Sequence, residues 1–467
     1  MAMPPPPQLW LVPQLPSATG ATLWFGAPGP DRPAPQVQVA WRSPAGTGSI
    51  TLTPAWQAFE AGAQRFWYAR APLVGLAADR QYLLIASMIG AAPSAPATLR
   101  TLPRTLPPTA VLGSRFTLLL GSCFDYRRGQ AGQAGALQFK LPAGDTPHLK
   151  LLCGDQVYLD LPWNEVLPRD DGELRARLLA KYLQNWGHGL QPGGQGYGTF
   201  LRWGANLFVS DDHEYWNNFP RWAAYVSSTF SRAAQDRLTD ATRGLFRAFQ
   251  ADYRVAGAER CYQQIAVGER GEPGRLELMA LDGRFGRTDR RACQPADMEA
   301  LRSWVAGLTG PGVLVLSQPL FEPTSHWPGW SGLGDQGLAD LDDYDELVRA
   351  LAAARHDLLV LSGDIHGGRV AATVRGGRSI VEVVSSPIAL CKPGKYHTSA
   401  AAKSFPARGI PGLAIHPVTT RAPLATQDQV AVLGLSRSDA GVDVVVQFWP
   451  VDGRSSRPLM THNITLK

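Results

Sequence analysis

Four short stretches put cation-binding or proton-moving groups directly behind apolar runs. FTLLL is followed by GSC with Cys123, LKLLC by GDQVY with Asp155 and Tyr158, LFV by SDDHE with Asp211, Asp212 and His213, and LLVL by SGDIHGG with Asp364 and His366. Singly, each has an ordinary reading: an Asp behind a strand caps a turn or helix, and a Cys there is a small buried hydrophobe. Their coincidence says more. Carboxylates gathered without counter-charge repel and hold their protons, so a bound cation is the economical explanation. Cys123, Tyr158 and His366 suit a strongly Lewis-acidic transition ion, Asp212 and Asp364 suit Ca2+, Mg2+ or Mn2+, and a shared Asp155 could bridge the two. Two cations roughly 3.5 to 4 Å apart activate a water and clamp both oxygens of an in-line displacement at phosphorus.

Competing chemistries fail on spacing. In HEYWN, Asn217 stands where a zinc peptidase needs its second His, and GWSGL ends in Leu333 where a nucleophile elbow needs Gly. The Gly-rich stretch 187–204 has neither the Lys-Ser/Thr ending of a P-loop nor GxGxxG, and reads as a flexible connector. The loop 321–337 carries His326, Trp327 and Trp330 directly after a strand and reads either as a substrate-facing lid or as a packed surface loop.

Positioning these groups requires strands, and the pattern supplies them. From residue 111 onward, FTLLL, LKLL, LFV, LELMAL, VLVL, LLVL and IVEVV alternate with helical stretches, as in a layered α/β domain. If the strands are parallel, their carboxyl ends share one sheet edge and the side chains converge there. Leu174, Leu178, Leu179 and Tyr182 mark one amphipathic helix face, and Leu301, Trp304, Val305 and Leu308 another. A final hairpin, VAVLGL then VDVVVQF, extends a sheet. Residues 1–110 show only short apolar runs broken by Gly, Pro, Asp and Ser, the pattern of a β-sandwich of the fibronectin or immunoglobulin kind. TLPRTLPP makes the linker to the 111–467 domain.

The 467 residues are 45% hydrophobic and 18% charged, which excludes bulk disorder and leaves ample chain for a buried core. A net charge of +6 without a dense basic run gives no nucleic-acid motif and only mild attraction to anionic substrates. No apolar stretch reaches about 18 residues, so no membrane segment is expected. The Pro-rich start lacks the features of an export signal, so the expected location is cytoplasmic, or periplasmic or secreted should a leader precede it.

GSC at 121–123, GDQVY at 154–158, DDHEYWNN at 211–218, LDGRFGR at 281–287 and SGDIHGG at 362–368, followed by VEVVSS at 381–386, occur in an order that resembles the alkaline phosphatase D (PhoD-like) branch of the calcineurin-type metallophosphoesterases. The resemblance implies a four-layer αββα catalytic domain holding Fe3+ and Ca2+, with Mn2+, Mg2+ or Zn2+ as alternatives at the second site. By motif position, Cys123, Asp155, Tyr158 and His366 would hold the iron, and Asp155, Asp212 and Asp364 the second cation. It also implies that His213 protonates or stabilises the leaving oxygen, while Asn218, Arg284 and Arg287 contact substrate phosphate; an Asp282–Arg284 pair holding the sheet edge is the competing reading. The expected function is a phosphatase or phosphodiesterase acting on a small phosphoester through a metal-bound hydroxide. The alternative is a non-catalytic binding protein on a degenerate metallophosphoesterase scaffold.

Overall fold

The computed structural model describes residues 8–109, 114–129, 132–142, 147–255, 257–270, 272, 274–324, 336–390, 401–421, 427–451 and 457–467. His326, Trp327 and Trp330, with most of the 321–337 loop, lie outside the described residues.

Two large sheets carry the fold. The first has ten strands, in the order Met460–Leu466, Gly441–Pro450, Gln429–Ser438, Phe116–Gly121, Leu149–Cys153, Ala205–Val209, Trp10–Ser17, Gly20–Pro28, Gln64–Val74 and Gln57–Ala61. Its centre is parallel: Phe116–Gly121, Leu149–Cys153, Ala205–Val209 and Trp10–Ser17 pair in register, and the flanking strands are antiparallel. The second has seven strands, with Leu276–Leu281, Gly312–Val315, Leu358–Ser362 and Arg378–Val384 parallel at its centre.

The period-2 alternation of strand side chains explains how the layers stack. Leu118 and Leu120 join Leu151, Leu207 and Val209 in a core shared with Leu278, Val313, Val315, Leu359, Leu361 and Val383 of the second sheet. Leu119, Leu152 and Phe208 point the other way, into a core with Leu174, Leu178, Leu245 and Phe249 from the helices Asp171–Tyr182 and Arg232–Phe249. Met279, Leu314 and Val360 meet Leu301, Trp304, Leu347 and Leu351 from the helices Pro295–Gly307 and Tyr344–Ala352 on the outer face of the second sheet. The order is therefore helix, sheet, sheet, helix. Strands buried on both faces are apolar at most positions, which is why these runs are so legible in the sequence; Thr117, Lys150 and Asn206 are buried polar exceptions.

One expectation needs correction. The turns that carry the candidate ligands do not share one sheet edge: Cys123, Asp155 and Asp212 follow strands of the ten-stranded sheet, and Asp364 follows a strand of the seven-stranded sheet. They meet because the two sheets face each other with their carboxyl ends at the same end of the stack.

The regular elements between residues 10 and 100 are strands without a helix, and Val37–Ser43, Gly46–Leu52, Gln81–Ser87 and Ala97–Arg100 form a separate four-stranded sheet. That sheet packs on the N-terminal strands Trp10–Ser17, Gly20–Pro28 and Gln64–Val74 of the ten-stranded sheet through Leu9, Leu11, Leu23, Phe25, Val37, Val39, Leu84 and Leu99. Hydrogen bonding does not stop at residue 110, because Trp10–Ser17 pairs in parallel with Ala205–Val209. Trp10 and Val12 on that strand sit in the helical layer's core, while Leu9 and Leu11 sit in the core between the two N-terminal sheets.

The stretch 187–204 is not a flexible connector. It continues a π-helical turn, Leu183–Gly187, into the short helices His188–Leu190 and Tyr197–Leu201. Its glycines serve close packing: a Cβ on Gly189 would lie 2.4 Å from the Thr199 backbone nitrogen.

Candidate metal centre

The turns behind the strands are built on left-handed backbone. Among the described residues, eight non-glycine residues have positive φ, and five of them are Cys123, Asp155, Asn218, Asp364 and His366. Each such conformation costs on the order of 1–3 kcal/mol and persists only where surrounding structure imposes it. Two glycines let the turns approach. A Cβ on Gly154, at φ +84°, would lie 2.3 Å from the Asp211 Cβ, and one on Gly363 would lie 2.4 Å from the Ser122 Cβ.

Asp155 is the hub. It is buried, and its Oδ2 accepts from Tyr158 OH at 3.3 Å and from Cys123 Sγ at 3.5 Å, while its Oδ1 accepts from the His213 backbone N–H at 3.2 Å. One group of ligand atoms, all within 4.8 Å of one another, comes from Asp155, Asp212 and His213; a second comes from Asp155, Asp211 and Asp364. Asp155 belongs to both. Cys123 is fully buried and receives a hydrogen bond from Ser386 Oγ at 3.1 Å. Its Sγ also reaches the Asp364 carbonyl at 3.6 Å. His366, half-buried, follows Asp364 on the same turn, with its N–H donating to the Asp364 carbonyl at 2.8 Å.

The electrostatics of this cluster call for positive charge. Burial, then the charges of Asp155 and Asp364, push the Cys123 thiol well up. Burial raises Asp155 to about 6 against the pull of His213, and Asp212 adds to the rise. Burial also raises Asp211, and its Oδ2 is buried with no hydrogen-bond partner. An orphaned carboxylate oxygen facing other carboxylates is expensive unless a cation satisfies it. The donor set of thiol, phenol, imidazole and carboxylates fits such a cation.

Three residues that sequence reasoning left out of the site complete it. Asp160, five residues beyond Asp155, accepts from His213 Nδ1 at 2.8 Å and from the Asn217 N–H at 3.0 Å. Burial opposes a charged His213, but Asp160, Asp212 and Asp155 outweigh it and hold the imidazole well above its usual range. Glu214, fully buried, accepts from the backbone N–H groups of Asp155 at 2.8 Å, Gln156 at 2.6 Å and Asp211 at 2.8 Å, and from Gln250 Nε2 at 3.1 Å. It clamps the Asp155 and Asp211 turns together. Asp211 itself stood in the motif, beside Asp212, and only the fold shows that it enters the cluster.

The arginines are placed differently from expectation. Arg284 is 1% exposed and its guanidinium pairs with Asp211 and donates to the Phe219 carbonyl at 2.9 Å. It holds a cluster carboxylate and does not face an open surface; Asp282 accepts from its backbone N–H, at 2.9 Å. Arg287 is also buried, on Gln318 Oε1 and the Gln336 carbonyl. Asn218 sits at the site, its N–H donating to Asp212 Oδ2 at 2.7 Å.

Comparison with known structures places the fold. A purple acid phosphatase from yellow lupin (Lupinus luteus) seeds aligns over 98% of this chain and 74% of its own, with a TM-score of 0.54 and 10% identity. At that identity the likeness is one of fold alone. The sensor domain of an anti-sigma factor from Pseudobacteroides cellulosolvens aligns over 22% of this chain and 99% of its own at 14% identity, and a Bacteroides uniformis β-glucuronidase over 95% and 61% at 8%. Their TM-scores of 0.16 and 0.22 carry no argument about this chain. No protein-family model matches the sequence, and no curated protein matches it.

Proposed function

We propose that the chain is a metal-dependent phosphoester hydrolase of the PhoD-like kind. The observation that carries this reading is the pair of ligand groups sharing buried Asp155, in the second of which Asp211 Oδ2 has no hydrogen-bond partner. The motif order supports it, as does the fold likeness to a phosphatase.

In this reading Cys123, Asp155, Tyr158 and His366 hold one cation, iron by resemblance, and Asp155, Asp212 and Asp364 hold the second. When bound, such ions supply an activated water and neutralise charge developing on the phosphoryl oxygens. The chain's own groups do the rest. Asp160 fixes the His213 ring through Nδ1, which leaves Nε2 to deliver a proton to the leaving oxygen. The carboxylates around His213, Asp160 foremost, favour the protonated ring. Asn218, whose backbone N–H donates to Asp212, is the residue assigned to the phosphate. Arg284 pairs with Asp211 and opposes the upward push that burial gives its carboxyl.

The test is metal analysis of the purified protein together with hydrolysis of a chromogenic phosphoester. Bound metal, activity lost on chelation and activity regained on metal addition are expected. A metal-replete protein that hydrolyses neither phosphomonoesters nor phosphodiesters would overturn the reading.

A further inference from the structure

Of the five exposed aromatic side chains among the described residues, Trp163 comes from one segment and Trp222, Tyr225 and Phe230 from another, and Tyr225 joins the two by contact with Trp163. Trp163 is 47% exposed, Trp222 37%, Tyr225 52% and Phe230 60%; the fifth, Phe139, lies elsewhere in the sequence. Half-exposed large rings that meet one another form an apolar patch, and the one that includes Trp163 and Tyr225 adjoins His213. Trp163 stands 6.4 Å from the His213 ring on one side, while Tyr158 covers that ring at 4.2 Å on another. Tyr225 meets Trp163 edge to face at 5.8 Å, and Trp222 meets Phe230 in the same manner at 6.0 Å.

The rim is held in place before any ligand arrives. The Asn164 N–H donates to the Tyr225 carbonyl at 3.2 Å, which ties the two rim segments together. Thr229 Oγ1 accepts from the Ala223 N–H at 2.9 Å, closing the second segment on itself. An edge-to-face pair covers one face of one ring and leaves the other faces free of its partner, and rings already held in place lose little entropy on stacking with a planar ligand.

We infer that Trp163 and Tyr225 form a leaving-group subsite for phosphoesters whose alcohol carries a planar aromatic ring, of which a nucleoside is the type. The inference rests on the hydrolase reading for its geometry: a leaving oxygen at His213 directs the rest of the alcohol outward past Trp163. A base at that position stacks on the indole and adds affinity without any base-specific hydrogen bond, so the subsite prefers a ring without choosing among bases.

Adenosine 5′-monophosphate and ribose 5-phosphate make a matched pair, because both release a primary alcohol and differ in the base. On the metal-loaded full chain, wild-type kcat/KM for adenosine 5′-monophosphate is expected to exceed that for ribose 5-phosphate by about tenfold or more, the range of one stacked base. In Trp163→Ala and Tyr225→Ala the ratio should fall toward one, and Trp163→Phe should restore much of it. Unchanged denaturation midpoints show that the variants fold. Calorimetric binding of the same two compounds is read separately from turnover. Ring-dependent binding that the variants lose, without turnover, would keep the subsite and sink the hydrolase reading. Turnover or binding with no preference for the base, or a preference that survives Trp163→Ala and Tyr225→Ala, would overturn the subsite.

Discussion

Glu214→Gln is the sharpest test of how the site is assembled. Glu214 Oε2 accepts from the backbone N–H groups of Asp155 and Asp211, and Oε1 from Gln156 N–H and Gln250 Nε2. It accepts at every position, the pattern of an ionised carboxylate, even though burial and the Asp155 charge push its own pKa up to about 8. Glutamine keeps the shape but replaces one oxygen with an NH2 donor. With the NH2 on the Oε2 side, two buried backbone N–H groups face a donor. On the Oε1 side Gln250 can flip its amide, and one N–H is still orphaned. Each orphan costs about 1–3 kcal/mol, and the surviving bonds lose their charge assistance, so the total is about 3–6 kcal/mol. Because the orphans sit on the Asp155 and Asp211 turns, metal content should fall with stability. Urea denaturation at pH 7 and metal analysis of the same preparation read both. A loss under about 1 kcal/mol with full metal content would show that Glu214 already carries a proton and donates a bond, and the clamp as described would be wrong.

Other consequences can be checked independently of the clamp. Arg284→Met removes the guanidinium from buried Asp211 and should cost about 3–5 kcal/mol, whereas a surface arginine removed as a control, Arg232→Met, should cost little. His213→Ala should keep its metals and lower kcat about 10²- to 10⁴-fold on alkyl phosphoesters, with a smaller loss on nitrophenyl esters, whose leaving group needs no proton. Equal losses on both would assign His213 to orientation alone. Far from the metal turns, His148 is buried with its Nδ1 accepting from Thr117 N–H at 3.0 Å and its Nε2 on Asp79 at 3.0 Å. Burial chiefly lowers its pKa to about 4. The unfolded chain takes up a proton near pH 6.5 that the native ring refuses until about pH 4, so this stability is complete above pH 6.5 and is lost as pH falls toward 4. Between pH 7 and 4.5 the loss should be about 2–3 kcal/mol, and His148→Gln should flatten that slope relative to wild type. An unaltered slope in the variant would remove His148 as its source.

The sequence by itself determined the strands of both parallel sheet centres and the residues behind them. FTLLL, LKLL, LFV, LELMAL, VLVL, LLVL and IVEVV all fall in strands, because a strand buried on both faces is mostly apolar even at consecutive positions. The chemistry-bearing turns were equally legible, since each is a local motif a few residues long. What only the tertiary structure decided is who meets whom. Asp364 reaches Asp155 and Asp211 because a second sheet is stacked on the first, and no periodicity in the chain encodes that stacking. The partners of Arg284, His213 and Glu214 are Asp211, Asp160 and a set of backbone N–H groups, most of them distant in sequence and chosen by the approach of turns at Gly154 and Gly363. The aromatic rim was invisible for a related reason. Trp163 and Tyr225 have the composition of core residues, and only the fold shows that their rings are left in water beside His213. The Gly-rich stretch misled in the opposite direction, because glycine permits both a loose loop and the closest helix contacts, and packing made the choice.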